Sequence, residues 1–433
     1  MEKTKVAIVG MGNVGTGVAR LLLDHGDRTG RHAGRVLWLE EVVVRDVTKA
    51  RDADLPAGIL SNDLSRITEN PEIEVVAQLI GGLEPARSIM LELLRSGKDI
   101  VTANKALLAE HGPELFDTAR ELGRSIAFEA SVAGGIPIIT NIGQCFSANQ
   151  VQSLKGILNG TSNFIVTEME ESGTTYEGAL AEAQERGFAE ADPTMDVDGS
   201  DAAQKLAILA HLAFGARVHW SEIPRVGIDT LELAEFHYGK ELGYRIKLLA
   251  SANLTEGVLD LNVAPTLIRM GLPLAEVREN YNAISVDGDA VGRVFFHGQG
   301  AGQMPTASAV VADMIDTAVG RTRLTFRNLE LWSKREARVG IRAHKYLKGR
   351  YYLRFTVDDH PGVMAQITGA IGRHGVSIAS VIQHEPNNDG KMPVVPLVIM
   401  THLTTEGATA AAVEEIDRLP CVHRQCVRLR VLG

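Results

Sequence analysis

The sequence predicts an α/β fold class: a doubly wound parallel sheet first, then an α+β second domain, then a small βαββαβ domain. Three observations carry this. A short apolar strand, Lys5 to Val9, enters the glycine turn Gly10-Met11-Gly12-Asn13-Val14-Gly15 and leaves it as a helical stretch, Thr16 to Leu23. Short strands then alternate with helices to about Ala130, as parallel βαβ units do. From about residue 350 the pattern repeats on a smaller scale, with two strands and a helix on each side of one hairpin.

Taken in order, the first unit continues through strands at Glu41 to Arg45, Glu74 to Ile80, Asp99 to Thr102 and Ser125 to Phe128. Helices at Pro85 to Arg95 and Pro113 to Leu122 separate them, and an insertion around Asp27 to Arg35 lengthens the first crossover. The second unit mixes strands (Gln152 to Asn159, Leu242 to Leu254, Leu261 to Pro265) with helices. In the long helix Asp201 to Phe214, Leu206, Leu209, Ala210 and Ala213 recur on one face. Thr322 to Lys348 is polar and basic and reads as a linker. The last unit is Tyr352 to Val357, Val363 to His374, Ile378 to His384, Pro396 to Leu403, Ala408 to Leu419 and Val422 to Val431. The expected division is 1–130 for nucleotide binding, completed by about 303–340, then 131–302 for catalysis and dimerisation, then 341–433.

Composition narrows the function classes. At 433 residues, two or three domains of about 150 residues are expected. With 44 basic against 54 acidic residues the formal charge is −10, which argues against a nucleic-acid or anionic-membrane partner. Cys145, Cys421 and Cys426 fit neither a disulfide framework nor a CxxC metal site, so a reducing cytoplasm is the expected setting. No apolar run reaches the length of a membrane span, and the opening apolar strand is too short for a signal peptide.

Gly10, Gly12 and Gly15 form GxGxxG between strand and helix. There the turn must be tight, a pyrophosphate must approach backbone, and the helix start offers free N–H groups. This is a Rossmann-type dinucleotide site. At the end of the second strand, Arg45 suits an adenosine 2′-phosphate, with Lys49 and Arg51 nearby, whereas Asp46 suits an unphosphorylated ribose. NADP is favoured and NAD stays open.

Two further features carry chemistry. Asp201 and Lys205 stand four apart on one helix face, the acid N-terminal to the base, which is the favourable order for an ion pair. Glu190, Asp192, Asp196 and Asp198 crowd the segment before them, more acid than a stability argument needs and suited to an α-ammonium group. Lys105 follows a strand at the carboxyl edge of the first sheet, where open α/β folds bind ligands.

Six segments in order resemble the homoserine dehydrogenase family over residues 5 to 320. They are Ile80-Gly81-Gly82, Val101-Thr102-Ala103-Asn104-Lys105-Ala106 and Glu129 to Pro137, then Asn159-Gly160-Thr161-Ser162-Asn163, Gly187 to Pro193, and Gly300 to Thr306. The resemblance implies NAD(P)H-dependent reduction of L-aspartate 4-semialdehyde to L-homoserine. It implies that Lys205 is the acid/base, that Lys105 faces substrate and cofactor, and that Glu190 and Asp201 bind the substrate's amino group and help place Lys205. It also implies that Gly160, Thr161 and Gly187 line the substrate pocket. Gly10, Met11, Gly12, Asn13, Val14, Gly15, Arg45, Thr102, Lys105 and Gly302 would contact the cofactor. A monovalent cation such as sodium would be held by backbone oxygens of Glu129, Val132, Gly134 and Ile136. Phe188 departs from the pattern, since some members have Tyr there.

Phe355 to Ile367, followed by His374-Gly375-Val376-Ser377-Ile378, resembles the ACT domain, a small-ligand sensor that commonly binds amino acids. The resemblance implies feedback control, with L-threonine as effector, and an edge near Val376 to Ile378 for pairing into a homodimer or homotetramer. Residues 349 to 433 are expected to be removable without loss of catalysis. Two other readings stay open: a different ACT-bearing NAD(P)-dependent oxidoreductase, which would need a catalytic His or Arg, and a non-catalytic sensor, against which the intact lysines and acids argue.

Overall fold

The computed structural model describes residues 2–329, 331–332, 337–384 and 394–433. Strands β1 (Lys3–Val9), β2 (Val36–Val43), β3 (Leu60–Ser61), β4 (Ile73–Gln78), β5 (Asp99–Thr102) and β6 (Ile126–Ala127) form one parallel sheet in the order β3-β2-β1-β4-β5-β6. Reversal of strand order between β1 and β4 opens a crevice at their carboxyl ends, where such sheets bind ligands. Helices α1 (Asn13–Asp24), α2 (Gly26–Ala33), α3 (Ala86–Arg95) and α4 (Lys105–Glu121) cover its faces. The expected insertion is thus the helix α2. The second strand starts earlier than the sequence indicated, since Leu37 and Leu39 are buried while Trp38 between them is 46% exposed. Its alternation is disguised by Glu40 and Glu41, the latter buried and paired with Arg66 at 2.9 Å.

The helix expected from Pro113 begins eight residues sooner. Asn104 caps it, accepting from Leu107 N–H at 3.0 Å, and Pro113 is tolerated inside it. Lys105 is therefore the first residue of a helix rather than part of a loop.

The second sheet contains β7 (Val151–Ile157), β8 (Tyr244–Thr255), β9 (Val258–Arg269), β10 (Tyr281–Gly288) and β11 (Gly292–Gln299). Helices α5 (Gly160–Ser172), α6 (Tyr176–Glu185), α7 (Ser200–Phe214) and α8 (Leu233–Glu241) belong to the same unit. Helix α9 (Gln303–Ala318) then returns to the first sheet, so close to α1 that a Cβ on Gly17 would lie 2.9 Å from Ala307 Cβ.

The expected linker is corrected over its described residues. Arg321–Leu329 forms helix α10, and Phe326 and Trp332 are buried against Phe116, with ring centroids 5.3 and 4.5 Å away. Its basic side chains are anchored as well, Arg323 on Asp99 at 2.8 Å. Polar composition hid two aromatic anchors. Residues 330 and 333–336 lie outside the described residues.

The C-terminal unit comprises β12 (Lys348–Asp358), α11 (Val363–Arg373), β13 (Ile378–Gln383), β14 (Val394–Thr401), α12 (Glu406–Ile416) and β15 (Val422–Leu432), the expected βαββαβ order. It continues the second sheet. The combined path is β11-β10-β7-β8-β9-β15-β12-β14-β13, joined by parallel pairing of Arg430 with Thr266, Val431 with Leu267 and Leu432 with Ile268. Tyr352, Val398, Met400 and Leu429 share one apolar core with the helices of the second unit. At the same junction the Arg354 guanidinium, largely buried, pairs with the fully buried Glu235 and with Glu232 at 2.8 Å.

Candidate active site

At the nucleotide turn, each glycine has its own reason. Gly10 (φ +95°) would bring a Cβ to 2.9 Å from Ile80 Cγ1, and Gly15 would bring one to 2.2 Å from the Gly10 carbonyl oxygen. Both positions are closed by protein. Gly12, the N-cap of α1, faces open space within 4 Å, on the side where a pyrophosphate would meet the helix N–H groups. Met11 is buried and Val14 packs on the same core, while Asn13 accepts from Gln303 Nε2 at 3.0 Å and so ties α1 to α9 just after Gly302.

Arg45 is exposed beyond β2 and pairs with no described residue. Asp46 instead accepts from the Thr48 N–H at 2.8 Å and the Thr48 hydroxyl at 2.6 Å. Those bonds hold its carboxyl below the usual carboxylate range. Both bonds go to Oδ1, which thus serves its own turn.

The lysines meet at one carboxylate. Strand β5 ends at Thr102, whose buried hydroxyl accepts from Asn104 N–H at 3.2 Å, and Asn104 Nδ2 donates to the Ile80 and Gly82 carbonyls at 2.9 and 2.7 Å. This fixes the start of α4 and places Lys105 Nζ 3.0 Å from Asp201 Oδ1. On α7, Lys205 donates to Asp201 Oδ2 at 2.7 Å and to the Leu158 carbonyl at 2.6 Å. Asn159, the N-cap of α5, donates to Asp201 Oδ2 at 2.9 Å and to Asp196 Oδ1 at 2.7 Å.

Electrostatics separates the two ammonium groups. The Lys105 side chain is 38% exposed and the Lys205 side chain 11%. Asp201 raises Lys105 above the usual lysine value against the opposing effect of burial, with Asp196 and Glu190 adding to it. Burial lowers Lys205, and Lys105 beside it does too, although Asp201 opposes them. Burial works against an ionised Asp201, but the two lysines outweigh it and hold the carboxyl well below its ordinary value. Burial raises Asp196.

Glu190 is exposed in the loop between α6 and α7, near enough to contribute to the field at Lys105. That loop turns at Gly187 (φ +73°), and Thr161 holds it by donating to the Phe188 carbonyl at 2.7 Å. Gly160 opens α5 where a Cβ would lie 2.6 Å from the Asn280 carbonyl oxygen. Asn159 was read only as part of a family segment, with no role given to it, and the Leu158 carbonyl was not read from sequence at all. An Asn at an N-cap was the available signal for the first, whereas a backbone acceptor leaves none.

Glu129 belongs to the short turn Glu129–Ser131, and Val132, Gly134 and Ile136 follow it in a tight buried loop with Ala133 at φ +49°. The Glu129 carboxylate accepts from Ile139 and Thr140 N–H at 2.8 Å each. The Ile136 carbonyl accepts from Ile138 N–H at 2.7 Å, leaving a second lone pair. Among the described residues no three His, Cys, Asp or Glu side chains form a metal cluster, and no helix is long and apolar enough to cross a membrane.

Known proteins match this chain along its length. Residues 10–129 fit the family described as homoserine dehydrogenase, NAD binding domain, residues 137–315 fit homoserine dehydrogenase, and residues 351–421 fit the ACT domain. The chain is 41% identical to a homoserine dehydrogenase of Pseudomonas aeruginosa, covering 100% of this chain and 99% of that one. It is 36% identical to one of Bacillus subtilis at the same coverage. A crystal structure of a homoserine dehydrogenase from Thiobacillus denitrificans superposes with a TM-score of 0.90 at 38% identity, over 100% of this chain and 99% of that one. The chain belongs to the homoserine dehydrogenase family, as an NAD(P)-dependent oxidoreductase ending in an ACT domain.

Proposed function

We propose that Lys205 transfers the proton in an NADP-linked interconversion of L-aspartate 4-semialdehyde and L-homoserine, with Lys105 as a fixed cation beside it. The observation that carries this is the opposite displacement of the two lysines around Asp201. Two titratable groups pushed apart by their surroundings divide into a permanent charge and a proton carrier. Lys205 gives a proton to the carbonyl oxygen in reduction and takes it from the hydroxyl in oxidation. Asp201, its oxygens committed to both lysines and Asn159, positions them. Glu190 is left to face the substrate's ammonium group, and Gly160, Thr161 and Gly187 shape the wall around it.

The glycine turn and the α1 N-terminus fit a dinucleotide, held by Gly10 to Gly15 with Thr102 and Gly302 nearby. When bound, the nicotinamide supplies or accepts the hydride. Arg45, with no partner among the described residues, beside an Asp46 whose Oδ1 is bonded within its own turn, favours the 2′-phosphate of NADP. A monovalent cation such as sodium, on carbonyls of Glu129, Val132, Gly134 and Ile136, is supported by their tight buried loop.

The remaining readings have structural support of different kinds. Division at 1–130 with 303–340, 131–302 and 341–433 follows the return of α9 to the first sheet. A threonine effector rests on the ACT domain. A homodimer or homotetramer rests on the edge position of β13, and a cytoplasmic setting on three free cysteines. Incubating the protein with L-homoserine and either NADP or NAD, while following nicotinamide absorbance, tests the reading. Reduction with NADP and slower reduction with NAD is expected, and no reduction with either overturns it.

A further inference from the structure

Lys247, on β8, is 0% exposed, yet no carboxylate pairs with it among the described residues. Its ammonium donates to the Val277 carbonyl at 2.5 Å and lies 3.4 Å from the Thr167 hydroxyl oxygen on α5. Burial pushes it down to about 8 against Glu170, with Arg278 and Arg245 adding to the fall and Glu171 opposing it. The group therefore stays mostly protonated at neutral pH. Holding an ammonium away from water without an acid beside it costs free energy that a methionine of similar length would not. What the ammonium supplies instead is a directed bond to backbone.

That backbone is the 277–281 loop, which leads into β10, and a second buried side chain holds it. Asn163 Nδ2, on α5, faces three of its carbonyls: Glu279 at 2.9 Å, Tyr281 at 3.3 Å and Val277 at 3.4 Å. Thr167 links the two anchors, since its hydroxyl donates to the Asn163 carbonyl at 2.7 Å and keeps a lone pair for Lys247. Glu279 stands at φ +51°, a left-handed conformation that a residue with a side chain keeps only where its surroundings impose it. Between these bonded carbonyls, Asn280 rests its own carbonyl oxygen on Gly160, where an added Cβ would lie 2.6 Å from it. Gly160 follows Asn159, whose amide holds Asp201 and Asp196. The loop is therefore the backstop of the helix start that positions the carboxylate shared by Lys105 and Lys205.

We propose that Lys247 is a positioning residue of the reaction: as a cation tethered to a backbone carbonyl it holds, with Asn163, the 277–281 loop against Gly160 and so keeps Asn159 on Asp201. This role rests on those proposed above for Lys205 and Asp201, whose support it supplies. Without the ammonium, the Val277 carbonyl loses its shorter donor and Asn163 alone restrains the loop. The Gly160 wall then recedes, and the substrate meets a displaced pocket. The nucleotide turn at Gly10 to Gly15 belongs to the first sheet, so dinucleotide affinity does not depend on Lys247.

The test is steady-state oxidation of homoserine by Lys247→Met, Asn163→Ala and the double variant of the full chain, with thermal melting of each. Lys247→Met should raise KM for homoserine by about tenfold and lower kcat as well, while KM for NADP stays near the parent's. A purely structural loss would reduce the amount of active enzyme, and with it apparent kcat, but leave KM of the folded fraction unchanged. Asn163→Ala should raise the same KM, and it reports on the loop even where Lys247→Met folds poorly. Because both side chains hold one loop, the double variant should fall short of the product of the two single effects. A KM for homoserine near the parent's in folded Lys247→Met, whatever its melting temperature, overturns the proposal. So does an unchanged KM in Asn163→Ala, or a double variant at the full product, which would mean that the two side chains act apart. The parent's own turnover separates the two readings: no homoserine oxidation by the parent overturns the proton-transfer reading and this one with it, whereas parent turnover with unchanged variants removes Lys247 alone.

Discussion

Lys205 Nζ lies 2.7 Å from Asp201 Oδ2, while the other oxygen of the same carboxylate holds Lys105 at 3.0 Å. One buried acid therefore sets the position of both lysines and raises the pKa of each, against burial that dominates only at Lys205. Removing its charge has a definite sign. In Asp201→Asn the Lys205 ammonium loses its attractive partner and keeps the repulsion of Lys105, so its pKa falls further. The inflection in the pH profile of homoserine oxidation should move to lower pH, with kcat reduced by about tenfold or more as the lysines lose their alignment. An inflection at the parent's position would show that Asp201 does not set the Lys205 proton affinity.

Two glycines of the nucleotide turn should fail in different ways. Gly15→Ala places a Cβ against the Gly10 carbonyl, so both the melting temperature and cofactor binding should fall. Gly12→Ala meets no protein atom within 4 Å. It should keep the melting temperature and raise KM for NADP and NAD alike, because the methyl group obstructs only the pyrophosphate. Equal stability losses in the two variants would contradict this division.

Arg45→Ala should raise KM for NADP about tenfold more than KM for NAD, since only the former carries the 2′-phosphate. Steady-state kinetics with each cofactor checks it. Equal changes would mean that Arg45 does not contact the 2′-phosphate.

The expectation that the ACT-like unit can be removed without loss of catalysis meets a structural cost at the junction. Removing residues 349 to 433 would uncover the β9 edge and leave Glu235 without Arg354. Such a truncation should melt lower and aggregate, as thermal unfolding and light scattering would show. Arg354→Met isolates the ionic part: stranding a buried carboxylate costs about 3–5 kcal/mol, and Glu235→Met in the same chain should recover much of it. No recovery in the double variant would place the loss in packing instead.

Much of this was legible in the sequence, and the exceptions share a cause. Lys205 and Asp201 could be paired from their spacing on one helix. The glycine turn showed its own chemistry. Contacts between distant segments could not be read: nothing local links Lys105 to Asp201, or Arg354 to Glu235. Trp332 and Phe326 were hidden because two aromatic anchors are swamped by the charges around them, although they decide where the chain packs. The Leu158 carbonyl was invisible for a simpler reason, since any residue supplies the same oxygen.

The most direct test of the central claim is the turnover of Lys205→Ala in homoserine oxidation, measured across pH at saturating cofactor. Oxidation needs a neutral Lys205, so the parent's rate should rise with pH to an inflection below 10.5, the ordinary lysine value from which burial lowers this group. The variant should lose about 100-fold or more in kcat together with that inflection, while its cofactor affinity stays near normal. Turnover within a few-fold of the parent, with the same inflection retained, would contradict the assignment and pass the proton-transfer role to Lys105.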